Sequence, residues 1–312
     1  MGATAQARNA SCRLTSKLLL PLTRRDNRHA ALHAVGHLGA IALSTLLLWQ
    51  SLGTPWVMLA MPLQGFLLAF LFNALHETAH QTAFRSRVCN CALGHLAGFT
   101  VLLPYGYYRA FHWDHHRYTQ DRDKDPELAK PLPSSRWRLA WYVGGVPVWL
   151  DRIRMLLVHG VLGRVVEPWV PPDKRSEIIN EARAYVLGYG LIVALSIVTG
   201  SWVVLWLWWL PVAVGQWFLR PYLLAEHTGC AHSNDMLENT RTTYTNAWLR
   251  FFAWNMPYHA EHHAYPAVPF HALPKLNALL AARIVNTERG YPASVAAVVR
   301  HLSTTLAREA NS

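Results

Sequence analysis

An all-α fold embedded in a membrane is what this sequence predicts, and three observations predict it. Of its 312 residues, 52% are hydrophobic and only 15% charged, against about 25% charged in an ordinary soluble domain. Two long runs, His29 to Leu75 and Ala184 to Leu219, contain no Asp, Glu, Lys or Arg. All 29 Lys and Arg fall in the three segments that flank those runs.

The elements follow in order. Residues 1–28 are basic, with no apolar stretch leading to a small-residue cleavage site, so they read as a cytoplasmic or interfacial segment rather than a signal peptide. The first charge-free run is more than twice the roughly 20 residues that one span needs. Residues 29–75 therefore form a helical hairpin, turned at Ser51-Leu52-Gly53-Thr54-Pro55. Residues 76–182 form a middle segment. Within it Val88 to Tyr108 is charge-free and long enough to cross, but a crossing would put the histidines before and after it on opposite sides. It reads as an interfacial or re-entrant helix ending near Pro104. Arg138 to Gly163 is apolar but interrupted by Asp151, Arg152 and Arg154, as suits a helix lying along the surface. Residues 183–222 form the second hairpin, broken at Gly200-Ser201, and residues 223–312 the C-terminal segment.

Neither hairpin turn contains Lys or Arg, so the positive-inside rule places both termini and the middle segment in the cytoplasm, at an inner membrane if the cell is bacterial. Trp56, Trp202, Trp206, Trp208 and Trp209 suit the interfacial belt. The net charge of +11 fits anionic lipid headgroups; no nucleic-acid partner is expected. Cys12, Cys89, Cys91 and Cys230 form no disulfide framework, and Cys89-Asn90-Cys91 is too tight for an ordinary paired-cysteine site. No repeat or linker divides the chain, which reads as one domain.

Seventeen histidines are far more than this length predicts, and many are clustered. His76 and His80 close the first hairpin. His112, His115 and His116 lie in the middle segment; His259, His262 and His263 follow the second hairpin. Spacings of three and four put imidazoles on one side of a helix, a turn apart. Neutral imidazole is the commonest metal ligand and suits iron, zinc or copper. Eight imidazoles on one side of the membrane are too many for one ion and fit two. His227, just past the second hairpin, is a ninth candidate; alone it reads equally as a polar helix end. His29, His33 and His37 recur every four residues on the first span and read as a packing stripe.

These clusters, their order and the hairpin between them resemble the membrane fatty acid desaturase/hydroxylase superfamily, over roughly residues 70–280. The most specific stretch is Asn255-Met-Pro-Tyr-His259-Ala-Glu261-His262-His263, followed by Pro266, Val268-Pro269 and Leu273-Pro274. His112 to Pro126, with Thr119, Asp121, Asp123 and Asp125, resembles the second histidine box and its acidic trailer. The resemblance implies a non-haem centre of two iron ions held by the eight box histidines and His227, with O2 as co-substrate. Asp114, Glu226, Glu261 and the Asp121–Asp125 group would orient the imidazoles from behind. Asn255 would be a weak or water-mediated ligand, or a helix cap. A fatty-acyl or lipid-like substrate would reach the metals through an apolar tunnel, for which Phe66, Phe70, Phe72, Trp217 and Phe218 are candidates. With no haem or iron–sulfur motif in the chain, electrons would come from a separate ferredoxin, rubredoxin or cytochrome-type donor and its reductase. The basic groups Arg24, Arg25 and Arg28, Arg136 and Arg138, and Arg152 and Arg154 would dock that donor or anionic headgroups.

Within this resemblance a fatty acid desaturase is the first expectation and a hydroxylase of the same fold the alternative. His76-Glu77-Thr-Ala-His80 alone also matches the zinc-protease pattern, with Glu77 as base. That reading, like a non-catalytic metal carrier, leaves the other two clusters without a role.

Overall fold

The computed structural model describes residues 14–133 and 135–309. Cys12 and the basic residue before it therefore lie outside the described residues. Helix α1 (Asn27–Ser51) starts where the Asp26 carboxylate accepts the Arg28 amide at 2.8 Å, satisfying one of the unpaired amides of a helix start. It ends at a turn in which Gly53 takes φ +77°, and α2 (Val57–Ala79) returns alongside it. Helix α3 (Arg87–Thr100) and helix α4 (Tyr105–Tyr118) form a pair bent by 100°. The break runs through Val101 to Pro104, where the expected re-entrant element was to end, and Pro104 caps α4. Helix α5 (Val146–Leu156) follows a short helix, Arg136–Val143, on the apolar stretch expected to lie along the surface.

Helices α1, α2 and the stretch Pro172–Thr199 are each long and apolar enough to cross a membrane, and the bent pair qualifies only if taken together. Helix α6 (Arg175–Thr199) ends at Gly200 in the left-handed conformation, the break foreseen at Gly200-Ser201. The limb after it, expected to be the return limb of the second hairpin, is not one regular helix. It runs through π-helical turns at Leu205–Trp209 and a helical turn at Leu210–Val214 before α7 (Gln216–His227). Pro211 and Gly215 account for the interruptions. Gly215 has a second role. A methyl group on it would sit 2.1 Å from the Gly65 carbonyl oxygen, and one on Gly65 would sit 2.5 Å from the Pro211 oxygen. Two glycines thus let α2 and the return limb touch backbone to backbone, the close approach small residues permit between membrane helices. Leu32, Leu43, Leu46 and Leu47 on α1, and Leu187, Leu191 and Val198 on α6, are exposed apolar side chains such as lipid-facing helices carry.

The all-α class needs one amendment: Arg241–Tyr244 (β1) and Asn286–Arg289 (β2) pair in parallel. A further bridge joins Thr242 to Tyr258, the residue before helix α8 (His259–Ala264). The ladder is short, yet it anchors the third histidine cluster to the rest of the C-terminal segment. The histidine stripe on α1 does similar work. The His33 Nε2–H donates to the Phe251 carbonyl at 2.7 Å and the His37 Nε2–H to the Leu67 carbonyl at 3.0 Å, while Trp254 donates to His37 Nδ1 at 3.2 Å. These bonds pin α1 to α2 and to the turn before α8.

The apolar tunnel was expected along five aromatic residues. Phe66, Phe70 and Phe72 are buried in the core, and Trp217 and Phe218 face outward. An apolar cavity of about 430 Å³ lies elsewhere in the bundle, against Ile41, Gln64, Leu68, Phe99, Val204 and Trp208.

Candidate metal centre

The eight clustered histidines and His227 are all buried. His76 and His80 sit a turn apart at the end of α2, the second cluster at the end of α4, His227 at the end of α7, and the third cluster on α8. Four helix ends thus converge, and they sort the imidazoles into two pockets.

His76, His80, His112, His116 and His262 form the first pocket, with one donor nitrogen from each within 4.8 Å of the others. Its Nε2 atoms are 2.7 Å apart for His80 and His112, 3.1 Å for His116 and His112, and 3.1 Å for His262 and His80. His115, His227 and His263 form the second pocket by the same measure. His259 joins it, its Nε2 lying 3.2 Å from that of His227 and 3.1 Å from that of His263. The pockets adjoin: the rings of His116 and His263 stack with centroids 4.0 Å apart.

Helix geometry explains the sorting. At about 100° per residue, positions i and i+4 lie about 40° apart on the helix, while i+3 lies about 60° to the other side. In the second cluster the i, i+4 pair His112 and His116 faces the first pocket, and the i+3 residue His115 faces the second. In the third cluster the roles reverse: His259 and His263 face the second pocket and His262 the first. Adjacent histidines in each cluster therefore point to different centres.

The donor chemistry fits metal. Both ring nitrogens of His76 are buried without a hydrogen-bond partner, and several other ring nitrogens face one another at hydrogen-bond distance with no acceptor or donor to tell them apart. Burial, reinforced by the neighbouring imidazoles, holds His80, His259, His262 and His263 well below the ordinary histidine range, so they are neutral with lone pairs available. Lone pairs converging in a buried pocket repel unless a cation lies between them.

The imidazoles are oriented from behind. Asp125 accepts from His115 Nδ1 at 2.9 Å, which leaves the His115 Nε2 lone pair aimed into the second pocket. The same carboxylate accepts the amides of Gln120 at 2.8 Å and Glu127 at 2.9 Å. Burial raises the Asp125 pKa, but the bond to His115 and the two amides outweigh it, and the group stays below its usual value. Thr119 Oγ1 is 3.1 Å from His263 Nδ1, and Gln120 donates its side-chain amide to the His227 carbonyl at 2.8 Å. Gln120 takes a left-handed φ of +65°, as do Gln81 (+60°) after the first cluster and Trp254 (+51°) and Asn255 (+55°) before the third. Such conformations cost on the order of 1–3 kcal/mol each and persist where surrounding bonds over-determine them.

Of the acidic and polar residues expected beside the ligands, Glu226 lies 3.5 Å from His259 Nδ1, without hydrogen-bond geometry. The others have different partners. Asp114 meets Arg117 at 3.4 Å on the outer side of α4, and Asp121 closes its own turn by accepting the Asp123 amide at 3.1 Å. Glu261 accepts from Thr242 at 2.5 Å and from Asn277, which fastens α8 to β1 rather than orienting an imidazole. Asn255 donates to the Phe270 carbonyl at 3.1 Å and acts as a turn residue. The member of the acidic trailer that reaches a ligand is Asp125, not Asp121. Its signal was legible: Asp before Pro at the first position of a helical turn is a capping pattern, and it stood within the acidic trailer already singled out. Glu77, the would-be protease base, accepts the Phe270 amide at 3.2 Å.

The sequence matches the model of the fatty acid desaturase family over residues 24–293. Among curated proteins it is 24% identical over 257 residues to an sn-1 oleoyl-lipid 12-desaturase of Picosynechococcus sp., covering 76% of this chain and 71% of that one. It is 28% identical over 196 residues to an sn-1 acyl-lipid omega-3 desaturase (ferredoxin) of Nostoc sp., covering 61% of this chain and 51% of that one. It is also 28% identical over 270 residues to a dihydrorhizobitoxine desaturase of Bradyrhizobium elkanii, covering 81% and 75%. A match running through all the histidine clusters, on apolar helices that meet at two buried imidazole pockets, makes this chain a membrane oxidoreductase that belongs to the fatty acid desaturase family.

Proposed function

We propose that this chain is an O2-dependent di-iron desaturase that removes two hydrogens from adjacent carbons of a fatty-acyl or lipid-like substrate. The observation that carries this reading is the convergence of nine imidazoles, drawn from four helix ends, into two adjoining pockets. The first iron is held by His76, His80, His112, His116 and His262, the second by His115, His227, His259 and His263. Bound there, iron supplies the oxidising power to break an unactivated C–H bond, which no side-chain acid or base can do. The chain's own residues hold neutral imidazoles in place, fix their tautomers through Asp125 and Thr119, and exclude water by burial.

The balance of the reaction supports a partner. Taking two hydrogens from the substrate while O2 becomes two waters requires two further electrons and two protons. A separate donor of the ferredoxin, rubredoxin or cytochrome type supplies the electrons; one similar protein carries ferredoxin in its name. Arg24, Arg25, Arg28 and Arg154 are the proposed docking groups for this donor or for anionic lipid; Arg152, expected among them, is buried and donates to the Val101 carbonyl. The chain acts as one domain with four spans in two hairpins, the return limb from about Trp202 through α7 being the fourth. Both termini and the metal pockets face the cytoplasm, where the basic segments gather.

Expression in membranes with a ferredoxin and its reductase, followed by mass spectrometry of lipids, tests the reading. The expected product is lighter than its precursor by two hydrogens and forms only with O2 and reductant. A product heavier by one oxygen identifies a hydroxylase of the same fold. Activity that survives without O2 or reductant overturns both.

A further inference from the structure

The two pockets are not equivalent. The first holds five imidazoles and the second four, and the second has a further donor beside it. Glu127 places Oε2 3.4 Å from His115 Nε2 and 4.0 Å from His227 Nε2. His115, Asp125 and Glu127 offer donor atoms that all lie within 4.8 Å of one another. We propose that Glu127 is a ligand of the second metal, so that the first ion has five nitrogen donors and the second four nitrogens and one carboxylate oxygen. The proposal rests on the two-metal reading above.

Three observations support it. First, the tautomer of His115 is fixed. Its Nδ1 donates to Asp125 at 2.9 Å, so Nε2 carries the lone pair. An anionic oxygen 3.4 Å from that nitrogen needs a positive centre between them, a proton in the metal-free protein or a metal ion in the loaded one. Second, the spacing is that of shared ligands. Donors about 2.1 Å from one ion lie about 3.0–3.4 Å apart at octahedral to tetrahedral angles and about 4 Å apart only at a wide angle near 145°. The Nε2 atoms of the second pocket, 3.1–3.3 Å apart, and Glu127 Oε2 fall in that range. Third, the backbone delivers the side chain. Pro126 fixes the first residue of the turn Pro126–Ala129, and the Glu127 amide is held by Asp125. One tripeptide, Asp125-Pro126-Glu127, thus reaches both nitrogens of a single imidazole, from behind through Asp125 and from the metal side through Glu127.

The chemical consequence is an asymmetric pair. A carboxylate is a harder, anionic donor that suits iron or manganese. It lowers the net charge of the second site by one and favours the higher oxidation state there. The Glu127 side chain is 40% exposed, so the second pocket is also the one that meets solvent through a ligand.

The test uses the full-length protein in detergent, loaded with 57Fe(II). Wild-type protein should bind two irons and show two quadrupole doublets of equal area in its Mössbauer spectrum. In E127A and E127Q one doublet should shift or vanish while the other keeps its parameters, and chelator competition should show the weaker-bound iron loosened by about 10–100-fold. E127D, which keeps the carboxylate, should restore two bound irons. Because Glu127 is partly exposed and packs no core, E127Q should retain the wild-type circular dichroism and detergent-phase monodispersity. Two bound irons with unchanged doublets in both E127A and E127Q overturn the ligand assignment and leave the two-metal reading standing. Wild-type protein that saturates with a single iron overturns both.

Discussion

The two imidazole pockets differ in how their ligands are supplied. The first takes two histidines from α2, two from α4 and one from α8. Its members are buried deep, and among its ring nitrogens His76 Nδ1 and Nε2, His80 Nδ1, His116 Nδ1 and His262 Nδ1 have no partner behind them. The second takes one histidine each from α4 and α7 and two from α8, and here side chains and carbonyls stand behind the rings: Asp125 behind His115, Thr119 behind His263, and the Asn239 carbonyl 3.4 Å from His227 Nδ1. The first pocket is held mainly by packing, with Tyr108 at 3.5 Å behind His112, and the second more by hydrogen bonds, His259 Nδ1 alone among its four lacking a partner. Packing cannot be tuned one residue at a time without opening a cavity, whereas a hydrogen-bonded shell can. The second pocket is therefore where small changes should adjust the centre, and the first where they should destroy it.

The sharpest attack on this contrast is to remove one ligand from each side. His262→Ala in the first pocket and His227→Ala in the second should each abolish product formation while leaving the protein in the membrane fraction. Metal analysis should show about one iron lost in each. Product from either variant at more than a small fraction of wild type would mean that the pockets do not act together.

Next in size is the shell of the second pocket. Asp125→Asn keeps the shape but turns an obligate acceptor into a group that can donate, releasing the His115 tautomer. Metal affinity at one site or turnover should fall about 10–100-fold, with the other site filled normally. Equal loss at both sites would break the distinction.

Acid should expose what the pockets share. Burial and neighbouring imidazoles hold His80, His259, His262 and His263 well below 6.5 in the folded chain. Unfolded, each takes up a proton near 6.5, so the unfolded state gains protons that the folded metal-free state refuses. Stability from these groups is whole above pH 6.5 and is lost as pH falls below it, by up to about 1.4 kcal/mol per pH unit for each histidine. The thermal midpoint of metal-free protein in detergent should be flat from pH 8 to 7 and decline below 6.5. A midpoint independent of pH down to 5 would refute the neutral-imidazole account.

The smallest effect should come from Asp114→Asn. Its partner Arg117 is largely exposed, and such surface pairs contribute about 0–1 kcal/mol. Turnover and iron content should stay within about twofold of wild type. A loss as large as that of Asp125→Asn would show that an acidic residue within the cluster matters by proximity alone.

Much of this protein was legible beforehand. Charge-free runs marked α1, α2 and α6 because a span cannot carry unpaired charge through hydrocarbon. The helical spacing of the clusters marked the histidines that converge because i, i+3 and i+4 share a side of a helix. The breaks at Gly53, Gly200 and Pro104 were visible as residues that permit or force a turn. Other features were not. The backbone contact of the return limb with α2 rests on Gly65 and Gly215, positions far apart in sequence. Of the five aromatic residues expected along a tunnel, Phe66, Phe70 and Phe72 are buried and Trp217 and Phe218 exposed, and neither follows from residue type. Asp114, Asp121 and Glu261 were chosen for sequence proximity to histidines; Asp114 and Asp121 have local partners at i+3 and i+2, and Glu261 has distant ones that local spacing does not reveal.

By itself the sequence determined the long apolar helices, the clustered histidines and their gathering at one end of the bundle, because hydrophobicity and helical period are local properties carried by each segment alone. The tertiary structure decided which imidazole belongs to which pocket, that His115 and His262 cross over from their own clusters, which member of the acidic trailer stands behind His115, and that Glu127 lies beside it. Those outcomes depend on the angles at which four helix ends meet, and no single segment encodes an angle to another.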